Sequence, residues 1–389
     1  MICVFAIVCA FRPDLSKRIE DLLSREEDPA VTTEINGAPS EAGQDVYLKE
    51  DHESEEETDL LQQNDGETME ETKPVEEKPG MEDGISSDYI PPDRSEVTMP
   101  EAMSGRNGYQ QIEDEQEQVD ETAVKEIQDR LETGYTGDGL EFDTQYYPYY
   151  AMLNEKGKHL YRQLYANANG LNPEFAPVER VTAGELKNIF TAVYNDHPKL
   201  FWMESAYAGK FTRNGVCVEI DLKFNHTAQD LGNAQALFDE NARQILSEAE
   251  GLANDYEKER FVHDALIERV SYQIGAEMNQ TAYSALVNRQ TVCAGYARAF
   301  HFLLQQLGIP CYYCTGYAGE SHAWNIVRLD DGYYNVDTTW DDAGDETYDY
   351  FNKSDADYAG SHIRQEMSIY LPPCNGQAYR GLEPESSSL

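Results

Sequence analysis

Cys293, His322 and Asp337 bring complementary chemistry into one stretch of the chain, residues 291–342. A thiolate attacks an acyl carbonyl. An imidazolium beside it stabilises the thiolate and protonates the leaving amine, and a carboxylate fixes the imidazole tautomer. The stretch reads TVCAGYARAFHFLLQQLGIPCYYCTGYAGESHAWNIVRLDDGYYNVDTTWDD. Whether the three groups can meet depends on the elements that carry them. After Cys293, the apolar residues Tyr296, Phe300, Leu303, Leu304 and Leu307 recur at helical spacing, and Gly308 and Pro310 close the element. Cys293 is therefore expected in the first turn of a helix, where unpaired N–H groups and the positive end of the dipole favour an anion. Gly295 has two readings: it leaves open space around the sulfur, or it is small because the helix packs closely on a sheet.

Residues 309–317 read as a strand, and 322–329 and 332–338 as two more, with Asp331-Gly332 as the hairpin turn signal between them. A two-residue turn there pairs Ile326 with Asp337 and puts His322, Trp324, Ile326 and Asp337 on one face. That register leaves His322 and Asp337 four positions apart, roughly 13 Å along the strand. A bulge, a different turn or strong twist must close the gap. Asn335 lies on the same face and is the alternative orienting group. Tyr296 and Trp324 are expected to flank a substrate cleft, with core packing the alternative for Trp324 and Asn335 the third candidate there. Of the other histidines, His301 lies eight residues beyond Cys293 on the same helix and is turned away from it, and His263 reads as exposed or capping. Cys311 and Cys314 have CxxC spacing without a second CxxC or a nearby histidine pair, so they read as core residues. The expectation for cofactors and for metals is none.

The 389 residues carry 30 Lys+Arg against 73 Asp+Glu, a net charge of −43. Such a chain repels nucleic acid and anionic lipid headgroups, which excludes both as main partners. Between 21 and 130 there are 34 acidic and eight basic residues, with few apolar residues and no period. Residues 16–135 accordingly read as a disordered acidic spacer or tether. Residues 2–11, ICVFAIVCAF, are too short to span a bilayer but resemble the apolar part of a secretory signal or anchor. Residues 1–15 are therefore read as a signal or anchor remnant, which makes the location extracellular or cell-envelope, with cytoplasmic as the alternative.

Order is expected from about 136. Residues 136–228 read as a small α/β unit: Tyr146, Tyr147, Tyr149 and Tyr150 precede a helical stripe and suit either a helix packing edge or a carbohydrate platform. Thr182 and Glu185 form a capping box, and Val216 to Phe224 alternates in polarity. Residues 229–375 read as the domain holding the three chemical groups, entered by two helices, and 376–389 as a tail.

The pieces TAYSALVNRQTVCAGYARAF, HAWN at 322–325 and YNVDTTWDD from Tyr334 together resemble the catalytic core of the transglutaminase-like superfamily, on a papain-like thiol fold. FVHDALIERVSY at 261–272 resembles the helix that enters that domain. The resemblance covers some 80 to 120 residues. It implies an α+β core with the cysteine at a helix N-terminus packed on an antiparallel sheet. It makes Cys293 the nucleophile, His322 the general base and acid, and Asp337 its orienter. Thr338 stands where many relatives have proline. No calcium-binding sequence like that of the animal enzymes is present, so calcium activation is not carried over. The implied activity is acyl transfer or hydrolysis at amide bonds of a protein or peptide, with an amine or water resolving the thioester. The alternative is a binding or scaffold module on the same fold without turnover.

Overall fold

The computed structural model describes residues 78–104, 106, 108–343 and 348–381, all within one compact unit. The first regular elements are strand β1 (Glu113–Gln118) and helix α1 (Glu121–Arg130), the helix capped by Asp120, whose carboxylate accepts from the Thr122 and Ala123 amides. Helices α2 (Pro148–Ala151) and α3 (Glu155–Asn169), strand β2 (Glu174–Phe175), helix α4 (Ala183–Asp196), and strands β3 (Met203–Phe211) and β4 (Cys217–Phe224) follow. The Thr182/Glu185 capping box opens α4 as its residue types require, each side chain taking the other's backbone N–H. The first sheet has the order β1-β3-β4-β2, with β1 parallel to β3.

The second half holds α5 (Leu231–Ala249), α6 (Asp255–Arg269), β5 (Ser271–Tyr272), a π-helical turn (Ser284–Asn288), β6 (Gln290–Thr291), α7 (Cys293–Gln306), β7 (Cys311–Tyr317), β8 (Ser321–Leu329), β9 (Gly332–Val336), α8 (Thr338–Asp341), α9 (Asp355–Tyr358) and β10 (Ile363–Arg364). The second sheet has the order β10-β7-β8-β9 and is antiparallel throughout. Helix α7 is its centrepiece. Every residue from Cys293 to Leu304 is buried, because β7 and β8 cover one side while α6 and the π turn cover others. Mixed helices and sheets of this kind make an α+β protein.

One hydrophobic core runs through both halves. Phe201 packs on Phe238 and Tyr283 at centroid distances of 4.8 and 4.9 Å, and Tyr149 Oη donates to the Tyr313 carbonyl at 2.6 Å. Tyr149 and Tyr150 are buried, so they belong to that packing and not to a carbohydrate platform.

The reading of 16–135 as a disordered spacer fails from residue 78 onward. Met81 enters the core and bridges Leu153, Met103 packs with Ala318 and Trp340, and β1 completes the edge of the first sheet. These apolar residues enter singly, at sites the rest of the fold supplies, so no periodicity marks them. The earlier part of the spacer and the 1–15 apolar segment lie outside the described residues. In the 376–389 tail, Tyr379 stacks on Tyr256 at 5.0 Å, and Arg380 pairs with Asp357. No helix among the described residues is long and apolar enough to cross a membrane.

Candidate active site

The β8–β9 hairpin closes differently from its turn signal. Ile326 faces Asn335, not Asp337, and the two turn residues are Asp330 and Asp331, with Gly332 opening β9. Tertiary contacts hold this turn. The Asp331 carboxylate accepts from Tyr334 Oη at 2.6 Å and from the Gln377 and Ala378 amides at 2.7 and 2.8 Å. A two-residue slip preserves which side chains share a face. It also halves the separation of His322 and Asp337 along the strand, to about 7 Å. The remaining distance closes because the chain leaves the strand at Val336. Asp337, at φ −120° and ψ 86°, becomes the N-cap of α8.

That cap fixes the carboxylate. Asp337 Oδ1 accepts from the Thr339 and Trp340 amides at 3.0 and 3.2 Å, which leaves Oδ2 facing His322 Nε2 at 2.7 Å. Both residues are buried, with His322 4% and Asp337 0% exposed. Burial alone would push the imidazolium pKa down, but the charges of Asp337 and Cys293 and their hydrogen bonds carry His322 up to about 10. Burial would likewise raise Asp337, yet the two histidines beside it hold the carboxyl well below its usual range. A carboxylate so held accepts, so Nε2 of His322 carries a proton toward it and Nδ1 is the ring nitrogen that Asp337 does not engage.

Cys293 is the first residue of α7, preceded by Val292, which offers no side-chain cap to the helix N–H groups. The site therefore keeps its backbone donors for an anion. The parallel pairing of β5 with β6 sets Tyr272 across from Thr291, two residues before the cysteine. Charge on Cys293 acts on the Tyr272 phenol, which burial pushes well up. Gly295 provides no open space. A Cβ there would run into Thr291 Oγ1 and lie 2.9 Å from Ser284 Oγ, so the glycine serves close packing on the 281–291 segment and not on the sheet.

The three cleft candidates are all buried. Tyr296 donates to Asp342 Oδ2 at 2.5 Å, and Trp324 Nε1 donates to Asn335 Oδ1 at 3.1 Å. Asn335 in turn donates to Asp355 and shares no hydrogen bond with His322, which Asp337 holds instead, so it is not the orienting group. Trp324 lies beside the histidine, with ring centroids 6.3 Å apart. His301 is fully buried on α7, with neither ring nitrogen partnered. His263 is not exposed: it is 1% accessible, with Nε2 3.1 Å from Asp341 Oδ2 and Nδ1 3.1 Å from Asp264 Oδ1. Cys311 and Cys314 sit free in the core.

His362 was missed. Its Nε2 lies 3.1 Å from the same Asp337 Oδ2 that His322 uses, and its Nδ1 lies 2.8 Å from Ser361 Oγ. Burial pushes its pKa down to about 4, which leaves a neutral ring donating to the carboxylate. It reaches the site from the residue before β10, a strand that lies close because Gly316, opposite His322 on β7, has no side chain. A Cβ there would meet Trp324 Cη2 at 2.8 Å and the Ile363 carbonyl. Nothing near position 362 in the sequence signals this. His322, Asp337 and His362 are also the described residues that could close on a cation, their ligand atoms lying within 4.8 Å of one another. Both ring nitrogens that would have to turn to it are engaged with Asp337.

Residues 243–338 match the family model of the transglutaminase-like superfamily core. A human protein named kyphoscoliosis peptidase is 30% identical over 125 residues, which is 28% of this chain and 18% of that protein, so the chain spans under a fifth of its relative's length. A crystal structure assigned to a cysteine protease from Cytophaga hutchinsonii is 18% identical over 39% of this chain and 62% of that one, with a TM-score of 0.26. A structure of a TGase is 11% identical over 58% of this chain and 59% of that one, with a TM-score of 0.25. The stretch from 243 to 338, which begins in α5 and ends at the residue after Asp337, is a transglutaminase-like superfamily core domain.

Proposed function

We propose that the protein is a thiol enzyme that opens amide bonds of a protein or peptide, with Cys293 as nucleophile, His322 as acid and base, and Asp337 as its orienter. The carrying observation is the 2.7 Å contact of buried His322 with Asp337, together with a buried cysteine at an uncapped helix start whose charge acts on that histidine. The sulfur attacks the amide carbon, and the carbonyl π pair moves onto oxygen. The Cys293 backbone N–H is one donor for that oxyanion, and the Tyr272 hydroxyl, on the strand paired with the residues that lead into Cys293 and donating to the Arg106 carbonyl, is the second. Collapse expels the amine, which takes its proton from His322 and leaves a thioester. Water or a second amine then attacks, gives its proton back to His322, and releases acid or new amide with the thiol restored. Peptidase and transglutaminase outcomes differ only in that last nucleophile. The apolar run at 2–11 extends the proposal to substrates met at the cell surface or envelope.

A scaffold without turnover is the competing reading, and the 1% exposure of Cys293 is the observation on its side. The two separate by mass. The protein is incubated with a mixed peptide pool, with and without an added amine, then quenched in acid and digested. An acyl adduct on the Cys293 peptide, absent from Cys293→Ala, is expected. Full peptide turnover by Cys293→Ala would sink the proposal.

A further inference from the structure

We propose that the groove above Cys293 is a binding site for an extended peptide in which tyrosine follows glycine, and that Gly108–Gln110 of this chain are its resident occupant. The inference rests on the enzyme reading: a nucleophile that is 1% exposed cannot meet a peptide until something moves aside. The covering segment comes from the acidic part of the chain, far outside the 243–338 core.

The contacts have the form of peptide recognition, with main chain and side chain read separately. Gln280, 7% exposed, reads the main chain: its Nε2 donates to the Gly108 carbonyl at 2.7 Å, and its Oε1 accepts the Gln110 amide at 2.9 Å. One amide side chain thus grips residues i and i+2 of the segment through their main chain, whatever their side chains. Upstream, the Arg106 carbonyl accepts from Tyr272 Oη at 2.5 Å, the hydroxyl assigned above to the oxyanion.

The side-chain pocket takes an aromatic ring. Tyr109 packs against Ala297, Tyr313 and Ala323. Ala297 lies one turn beyond Cys293 and Ala323 follows His322, so the ring sits between the two catalytic elements. The Arg298 guanidinium stacks on Tyr313 at 4.4 Å, and its charge acts on the Tyr109 phenol. Two of its nitrogens, in a residue only 3% exposed, have no hydrogen-bond partner, which gives the pocket a polar, cationic side suited to a hydroxyl. The residue before the aromatic must be small. A Cβ on Gly108 would run into Val292 Cγ1, at the residue preceding Cys293. Met103, packed with Trp340 and Ala318, and Met99, against Gly319, fasten the same segment further upstream. A substrate carrying Gly-Tyr would use the same grips, and the protein's own copy holds it latent until displaced.

The test is the rate at which iodoacetamide alkylates Cys293 in the full-length protein, read on the Cys293 peptide by mass. Tyr109→Ala removes the anchor, and Gly108→Val forces the segment off Val292. Each is expected to speed alkylation at least tenfold. Adding a peptide of residues 108–116 to either variant should slow it again, while the same peptide with alanine for tyrosine should not. Unchanged rates in both variants, or equal protection by the alanine peptide, would overturn the proposal. Should neither variant fold, hydrogen exchange of the Gln110 amide in the unaltered protein decides: protection supports an occupied groove, and exchange as fast as an unstructured amide refutes it. Faster alkylation with no acyl-enzyme in the same variants would keep the occupant and sink the enzyme reading.

Discussion

Two buried histidine–carboxylate pairs flank the four-residue helix α8, one at each end. Asp337 caps its start and meets His322; Asp341 closes it and meets His263. In both, the carboxylate also takes backbone amides, from Thr339 and Trp340 in one case and from Tyr350 in the other. Burial pulls both imidazoles down, and their partners more than reverse it: Asp337 with Cys293 takes His322 to about 10, and Asp264 with Asp341 takes His263 to about 9. They differ in the third partner. His322 has Cys293 at a helix start, whereas His263 has Asp264 and the rings of Phe351 and Tyr348, at 4.7 and 5.4 Å. A buried His–Asp pair is thus a structural device on its own, and a neighbouring thiol is what sets apart the pair proposed for catalysis.

The contrast breaks first at His322. In the Gly108→Val protein, where the thiol is reachable, His322→Ala should cut acyl-enzyme formation about 10³-fold, the scale of a lost general acid and base. Asp337→Asn keeps an acceptor for the Thr339 and Trp340 amides but removes the charge, and should cost about 10²-fold. It should also move the alkaline limit of the reaction below the value of about 10 that the charge supports in His322. Retention of that limit in Asp337→Asn would contradict the assignment.

His263→Phe should leave acyl-enzyme formation within about threefold while costing about 3 kcal/mol of stability, since it strands a buried carboxylate. The pH dependence follows from the raised pKa. The pair stabilises fully below the ordinary histidine value of about 6.5 and loses its contribution as pH rises through about 9. Urea unfolding should therefore show the gap between the two proteins wide at pH 6 and narrowed by pH 9.5. A gap that widens with pH would refute the ion pair. The smallest effect belongs to His362, the second donor on Asp337. Losing a hydrogen bond of about 1 kcal/mol in His362→Phe should slow acylation about fivefold, and His362→Gln, which keeps a donor, should recover most of it.

Local patterns carried the sequence reading well where chemistry and element coincide. Cys293 heads a helix because an apolar stripe and a Gly-Pro stop define α7, and HAWN opens a strand, buried on both faces, that runs to the Asp-Asp-Gly turn. The hairpin register departs from its turn signal because Asp331-Gly332 has the right turn chemistry, but Asp331 is taken by Tyr334 within the hairpin and by the Gln377 and Ala378 amides from far along the chain. The same cause hid His263, whose charged neighbours in sequence say nothing of Asp341 across the core. Residues 78–112 were the hardest to read. Met81, Met103 and Tyr109 each fill a hole made by other elements, and a chain that borrows its core from its neighbours shows no period of its own.

The most direct test of the central claim is the alkylation rate of Cys293 at pH 6 in Gly108→Val, compared with Gly108→Val/His322→Ala. An imidazolium held by Asp337 beside the sulfur predicts a rate at least tenfold higher when His322 is present. Equal rates in the two proteins would show that the thiol does not feel the histidine, and the Cys293–His322–Asp337 account would fall.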